Sequence, residues 1–182
     1  MNDNRVDIDW WHSFKKGDRD AFDCLFRRYY PILVQYGSKM CQDKEMLEDA
    51  IQDLFIELWQ SKANTPIQSV KAYFLKALKY KLFRQFKNSR SIEQVSQAVE
   101  TIGFTISHDH FIVQREDEMG TLRKISSAIN RLPARQKEIV YLRIYQELTY
   151  DEISEVMNIN YQVARNLFHQ SLKSLRSLFL NQ

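Results

Sequence analysis

Residues 148–176 read LTYDEISEVMNINYQVARNLFHQSLKSLR. Thr149 and Glu152 stand three positions apart, the spacing at which a hydroxyl and a carboxylate cap each other's backbone N–H groups. Ile153, Val156 and Met157 then fall on one side of a short helix. Asn158-Ile159-Asn160 is a turn: Asn tolerates positive φ at 158 and is a good N-cap at 160. The helix after it places Ala164, Leu167, Phe168, Ser171, Leu172, Leu175 and Leu178 inward. Its outward side carries Tyr161, Gln162, Arg165, Asn166, His169 and Lys173. A short capped helix, a three-residue turn and a longer capped helix form a helix-turn-helix pattern. Arg suits guanine edges, and Asn or Gln suits adenine edges, in a major groove. Lys173, Arg176 and the helix start at Asn160 suit phosphates. The same pattern also fits an ordinary helical hairpin with a polar outer face.

Helical periodicity extends upstream. Leu122, Ile125, Ala128, Ile129 and Leu132 form a stripe. Pro133 opens a further helix, whose core side takes Ile139, Val140, Leu142 and Ile144. Near the N-terminus, Ala21, Phe22, Leu25, Phe26 and Tyr29 keep helical spacing until Pro31, where a break or kink is expected. Ile32, Leu33, Tyr36 and Met40 then belong to a second helix. Leu47, Ala50, Ile51, Leu54, Phe55 and Leu58 make a clean stripe over 44–60. Val70, Phe74, Ala77, Leu78 and Leu82 make another over 69–88. Trp10, Trp11 and Phe14 are expected to pack on the first helix. Residues 89–112 are polar, Ser-rich and weakly periodic, with room for a short helix near 92–99. The expected fold is all-α: two small helical domains, 1–90 and 114–182, joined by a flexible linker at 91–113, with the helix-turn-helix in the second.

The chain has 182 residues, 44% hydrophobic and 27% charged, which provides a core and excludes wholesale disorder. Four Gly and three Pro argue against a turn-dense β fold. No long apolar run or signal peptide is visible, and two cysteines make no disulfide framework, so a reduced, cytoplasmic protein without membrane insertion is expected. Net charge is only +3, but its distribution is uneven. Residues 41–57 hold Asp43, Glu45, Glu48, Asp49, Asp53 and Glu57 against Lys44. Residues 62–90 hold Lys62, Lys71, Lys76, Lys79, Lys81, Arg84, Lys87 and Arg90 and no acid. From 161 onward Arg165, Lys173 and Arg176 also stand without an acid. Such surfaces attract phosphate backbones, although each segment alone also fits a solvated helix face. In the second segment Tyr73, Phe74, Tyr80, Phe83 and Phe86 interleave with the bases, which suits stacking on unpaired bases. Phe74 belongs to the core by spacing, and one or two of Tyr73, Tyr80 and Phe83 are expected to be exposed.

Together these stretches resemble an extracytoplasmic-function (ECF) sigma factor of bacterial RNA polymerase. The resemblance rests on KKGDRDAFDCLFRRYYPILVQYG (15–37), EDAIQDLFIELWQSK (48–62), VKAYFLKALKYKLFRQFK (70–87), LPARQKEIVYLRIYQELTYDEISEVMNIN (132–160) and YQVARNLFHQSLKSLR (161–176). It implies that Asp49, Gln52, Asp53, Phe55, Glu57 and Trp59 bind core polymerase at the clamp helices of its largest subunit, the flap of the second subunit being a further contact of the protein. Asn64 in the loop 61–69, with Lys71, Tyr73, Lys76, Lys79, Tyr80 and Arg84, would hold the melted −10 element. Asn160, Tyr161, Gln162, Arg165, Asn166, His169 and Lys173 would read the −35 element as duplex. An anti-sigma factor is a further implied partner. Leu167, Gln170, Asn158, Tyr161 and Gln162 depart from the usual residues of the family at their positions.

No phosphate loop, nucleophile elbow or HExxH occurs, so neither enzyme activity nor a cofactor is expected. His108-Asp109-His110 lacks a matching ligand cluster and reads as solvated rather than as a metal site. Two other readings stay open: a stand-alone helix-turn-helix regulator, expected to bind a palindromic duplex alone, and a helical adaptor that binds no nucleic acid.

Overall fold

The computed structural model describes residues 3–61, 67–88, 103–105 and 125–180. All regular structure among them is helical, in two compact units that meet in sequence near residue 95. The first unit is built from α1 (Asp3–Lys15), α2 (Arg19–Gly37), α3 (Lys44–Ser61) and α4 (Val70–Asn88).

The leader is itself a helix, and Trp11 and Phe14 are buried. Gly17, at φ 97°, turns the chain into α2, a conformation that disfavours any Cβ. Asp18 caps α2, accepting from the N–H groups of Asp20 (2.9 Å) and Ala21 (3.2 Å). The expected break at Pro31 does not occur: α2 runs unbroken to Gly37. Pro31 and Arg27 both lie on the exposed side, so the carbonyl that loses its N–H partner faces water, while Tyr29, Leu33 and Tyr36 hold the inner side. At Gly37 the helices crowd: a Cβ would overlap Leu47 Cδ1 and lie 3.2 Å from Leu78 Cδ2. Phe74 of α4 is fully buried, stacked on Tyr29 at 4.7 Å and tilted against Phe55 at 5.2 Å. Asp7 ties α1 to α2: Tyr29 donates its hydroxyl to it at 2.6 Å and Arg28 pairs with it at 3.1 Å.

The C-terminal part of the chain holds helical residues 125–130, α5 (Ala134–Val140), a π-helical turn (Tyr141–Tyr145), α6 (Tyr150–Met157) and α7 (Tyr161–Leu180). Pro133 stands at the start of α5 as expected. The π turn revises the expected core side. It widens the backbone so that Gln146 N–H reaches the Tyr141 carbonyl at 3.1 Å, five residues back. Tyr141 and Tyr145 stack at 5.5 Å, and Ile144 turns outward, 52% exposed. Phe104, inside the stretch expected to be a linker, is buried with its ring 5.5 Å from Tyr141. The possible short helix at 92–99 and the His108-Asp109-His110 motif lie outside the described residues.

Burial pushes the Tyr141 hydroxyl up to about 12, opposed by the Gln146 amide that donates to it at 3.0 Å. Burial raises Tyr145 to about 12 as well. The unfolded chain ionises both near 10, so between pH 10 and 12 the native state holds more protons than the unfolded one. The stability that these groups provide is therefore intact below pH 10 and is lost as pH rises toward 12. The expected slope is at most about 1.4 kcal/mol per pH unit for each tyrosine. Urea melts at a series of pH values check this. A stability that stays flat to pH 12, or a slope unchanged in Tyr145→Phe, contradicts it.

Candidate nucleic-acid interface

In the first unit, α3 exposes Asp49, Gln52, Asp53 and Glu57 along one side. Phe55 does not join them. It is 3% exposed and belongs to the core against Phe74, which corrects its expected place on the docking face. Spacing already put Phe55 on the apolar stripe. Trp59 is half-buried, with its ring 5.0 Å from Phe22. Two aromatic or aliphatic side chains not expected at the surface flank it: Phe26 (37% exposed) and Ile56 (52% exposed). With Phe22, Gln52 and Trp59 they line an open groove of about 540 Å³ between α2 and α3. The acidic side therefore borders an apolar groove. Ile56 carried a legible signal, since it interrupts the polar side of α3 next to core residue Phe55. Phe26 did not, because its spacing is that of a core residue.

Charge on α3 is already partly matched. Lys81 of α4 lies 2.7 Å from Glu57 and 3.7 Å from Asp53, with its own side chain largely covered. The eight bases of 62–90 are thus not all available to phosphate, a pairing across helices that no sequence count reveals.

On α4, Tyr80 and Arg84 are exposed, while Lys71, Lys76 and Lys79 are half-buried. Tyr73 is half-buried in edge contact with Trp11 at 4.9 Å, and burial, with Glu57 nearby, raises its hydroxyl pKa. Tyr80 is therefore the open aromatic. A second hollow, of about 490 Å³, lies where α3 ends, lined by Leu54, Leu58, Tyr73 and Ala77 with Glu57 and Lys81 among its polar walls. Asn64 lies outside the described residues.

In the second unit the cap predicted at Thr149 is present in full. Glu152 Oε2 accepts from the Thr149 N–H at 2.7 Å, and the Thr149 hydroxyl accepts from the Glu152 N–H at 3.3 Å. Asn158 has φ 51°, and Asn160 caps α7, accepting from the Val163 N–H at 2.8 Å. That cap uses the Asn160 carboxamide oxygen as its acceptor, and the residue itself is exposed. Tyr161, Gln162, Arg165, Asn166, His169 and Lys173 are all exposed on a helix whose sequence contains no acid. Tyr161 leans on the Tyr150 ring at 5.7 Å. Gln162 Nε2 donates to Asn166 Oδ1 at 3.0 Å. Leu172, expected inward, is 40% exposed: Ala164 and Ser171 mark the buried line of α7, and Leu172 lies a third of a turn beyond it. Val163, 44% exposed, also stands on the outer surface and was not among the expected site residues.

Among the described residues no cluster of His, Cys, Asp and Glu is arranged to hold a metal ion, and no helix is long and apolar enough to cross a membrane.

Family models match in two places: Sigma-70 region 2 over residues 25–92 and Sigma-70, region 4 over residues 122–175. The chain is 24% identical over 169 residues to the ECF RNA polymerase sigma factor SigK of Mycobacterium sp. (strain JLS), covering 88% of this chain and 83% of that protein. It is 22% identical over 161 residues to the RNA polymerase sigma factor YlaC of Bacillus subtilis (strain 168), covering 87% and 91%. Its fold is similar to that of CnrH, solved in complex with the cytosolic domain of CnrY, with a TM-score of 0.64 and 15% identity over 97% of this chain and 99% of that one.

Proposed function

This chain belongs to the extracytoplasmic-function sigma factors, which direct RNA polymerase to promoters, and from that premise we propose how its surfaces divide the work. Residues 1–90 bind core polymerase and the −10 element, 114–182 read the −35 element, and 91–113 connect them. Asp49, Gln52, Asp53 and Glu57 steer α3 onto the clamp helices of the largest polymerase subunit. The groove of Phe22, Phe26, Ile56 and Trp59 supplies the apolar anchor, since buried aromatics carry most interface energy while charge sets the approach. The flap of the second subunit contacts the C-terminal domain.

Tyr80, Arg84, Lys71, Lys76 and Lys79 hold the melted −10 strand together with Asn64 and Tyr73. The hollow at the end of α3 receives an unstacked base, offsetting the lost stacking. Promoter opening here needs binding energy and no covalent step. The helix α7 reads duplex −35 DNA. An anti-sigma factor that covers these surfaces is a further partner; CnrH, whose fold is similar, was solved in complex with the cytosolic domain of CnrY. Action on polymerase and promoter DNA places the protein in the cytoplasm.

One observation carries this reading: the same chain pairs an acidic strip beside an apolar groove with an acid-free recognition helix behind a fully formed cap. A stand-alone helix-turn-helix regulator is not favoured, because both family matches are to parts of sigma factors. Run-off transcription with core polymerase, with and without the protein, is the test. A promoter-specific transcript that depends on the protein is expected. Its absence, with tight binding to a palindromic duplex instead, would overturn the reading.

A further inference from the structure

The geometry points to an adenine–thymine preference in the upstream element, with Gln162 on an adenine edge and Val163 on a thymine methyl; the inference rests on α7 reading duplex promoter DNA. Three observations converge. Gln162 and Asn166 are one helical turn apart and joined through their amides at 3.0 Å. A lone exposed glutamine loses much rotamer freedom when it docks. Here that freedom is already restricted before DNA arrives.

The bond uses one N–H of Gln162 and one lone pair of Asn166. With the N–H trans to the carbonyl oxygen given to Asn166, Gln162 keeps its carbonyl oxygen and its other N–H side by side. That acceptor–donor pair matches adenine, whose major-groove edge offers the N6 amino donor and the N7 acceptor. It does not match guanine, which presents two acceptors there.

Val163 supplies the third observation. It is the neighbour of Gln162, is 44% exposed, and has its backbone fixed by the Asn160 cap at 2.8 Å. Its two methyl groups stand at the outer surface of α7, where Gln162, Arg165 and Asn166 are also exposed. The C5-methyl of thymine is the one apolar group on the major-groove edge of a base pair, so it is the natural counterpart. Tyr161 stands on the other side of Gln162 but leans on Tyr150, so it does not compete for the same base.

The test uses holoenzyme, formed from core polymerase and the full chain. Selection from promoters randomised upstream of −10 should fix at least one A·T pair. On the selected promoter, single thymines are replaced by deoxyuridine, which lacks the C5-methyl, and single adenines by 7-deazaadenine, which lacks N7. At one thymine, deoxyuridine should weaken binding about fivefold, and at one adenine 7-deazaadenine should weaken it about tenfold. Val163→Ala should erase the first effect and Gln162→Ala the second, each leaving the other intact. Exposed positions on a helix tolerate both substitutions, and melting curves of the variants check that they fold. If wild-type holoenzyme selects an upstream sequence yet ignores both analogues at every position, or if the variants keep both effects, this inference is overturned while promoter reading by α7 stands. If wild-type holoenzyme selects no upstream sequence at all, the promoter reading fails and takes this inference with it.

Discussion

Reversing Asp49 and Asp53 together to lysine is expected to lower affinity for core polymerase by at least roughly a hundredfold and to silence promoter-specific run-off. The magnitude follows from charge. Close interfacial charge pairs couple by about 1.5–7 kcal/mol, and each 1.4 kcal/mol is tenfold in affinity, so two attractions turned to repulsions exceed a hundredfold even at the low end. Both carboxylates are exposed, and the residues that hold α3 in place, Leu47, Ile51, Leu54 and Leu58, face the other way. The variant should therefore melt near wild type. Asp53 also lies 3.7 Å from Lys81, but Lys81 keeps its closer partner Glu57 at 2.7 Å. Binding of labelled core polymerase across a salt series is the measurement. Wild-type affinity, or a loss that does not shrink as salt rises, would show that α3 is not the steering surface. Removing apolar contact instead, with Ile56→Ala, should weaken binding with little change in the salt dependence.

Local signals in the sequence are legible where one residue settles one backbone group. Thr149, Glu152, Asn158 and Asn160 specify their caps and turn through chemistry confined to a few residues, and the structure has each of them in place. Local signals mislead where tertiary packing decides. Pro31 predicts a break or kink, yet the helix runs on without a break, with Tyr29, Leu33 and Tyr36 buried along its inner side. Ile144 fits a 3.6-residue stripe, but the π turn that seats Tyr141 beside Tyr145 shifts that register and turns it outward. Leu172 fits the inward side by its spacing from Phe168 and Leu175, but Ser171 takes the buried line and leaves Leu172 40% exposed. For the site, charge runs located the right helices but not which charges are already matched. The pairing of Lys81 with Asp53 and Glu57 joins residues 24 and more positions apart, beyond the reach of any window. The groove at Phe26 and Ile56 was hidden for a related reason: spacing shows which residues are apolar on one helix, not where two helices leave a gap.

Replacing Arg165 and Asn166 with alanine should do the opposite of the charge reversal on α3. Each well-placed contact to a base edge is worth about 1–3 kcal/mol of discrimination, so the pair should reduce the preference for the cognate upstream element by roughly 30-fold or more. Neither side chain supports the core. Both are exposed, while Ala164 and Ser171 hold α7 from its other side. Affinity for core polymerase should therefore remain that of wild type, and run-off from a promoter with a strong −10 element should persist in part. The change also frees the Gln162 amide from its bond to Asn166, so some loss belongs to Gln162 losing its fixed orientation. A separate Arg165→Ala variant divides the contributions. If Arg165 meets a phosphate, binding falls about equally on all sequences and the salt slope drops by about one; if it meets a guanine, discrimination falls at one position with little change in slope. Should both double variants, on α3 and on α7, lose core binding and promoter choice alike, the chain would not divide these tasks between two surfaces. The whole assignment, from the acidic strip to the recognition helix, would then have to be abandoned.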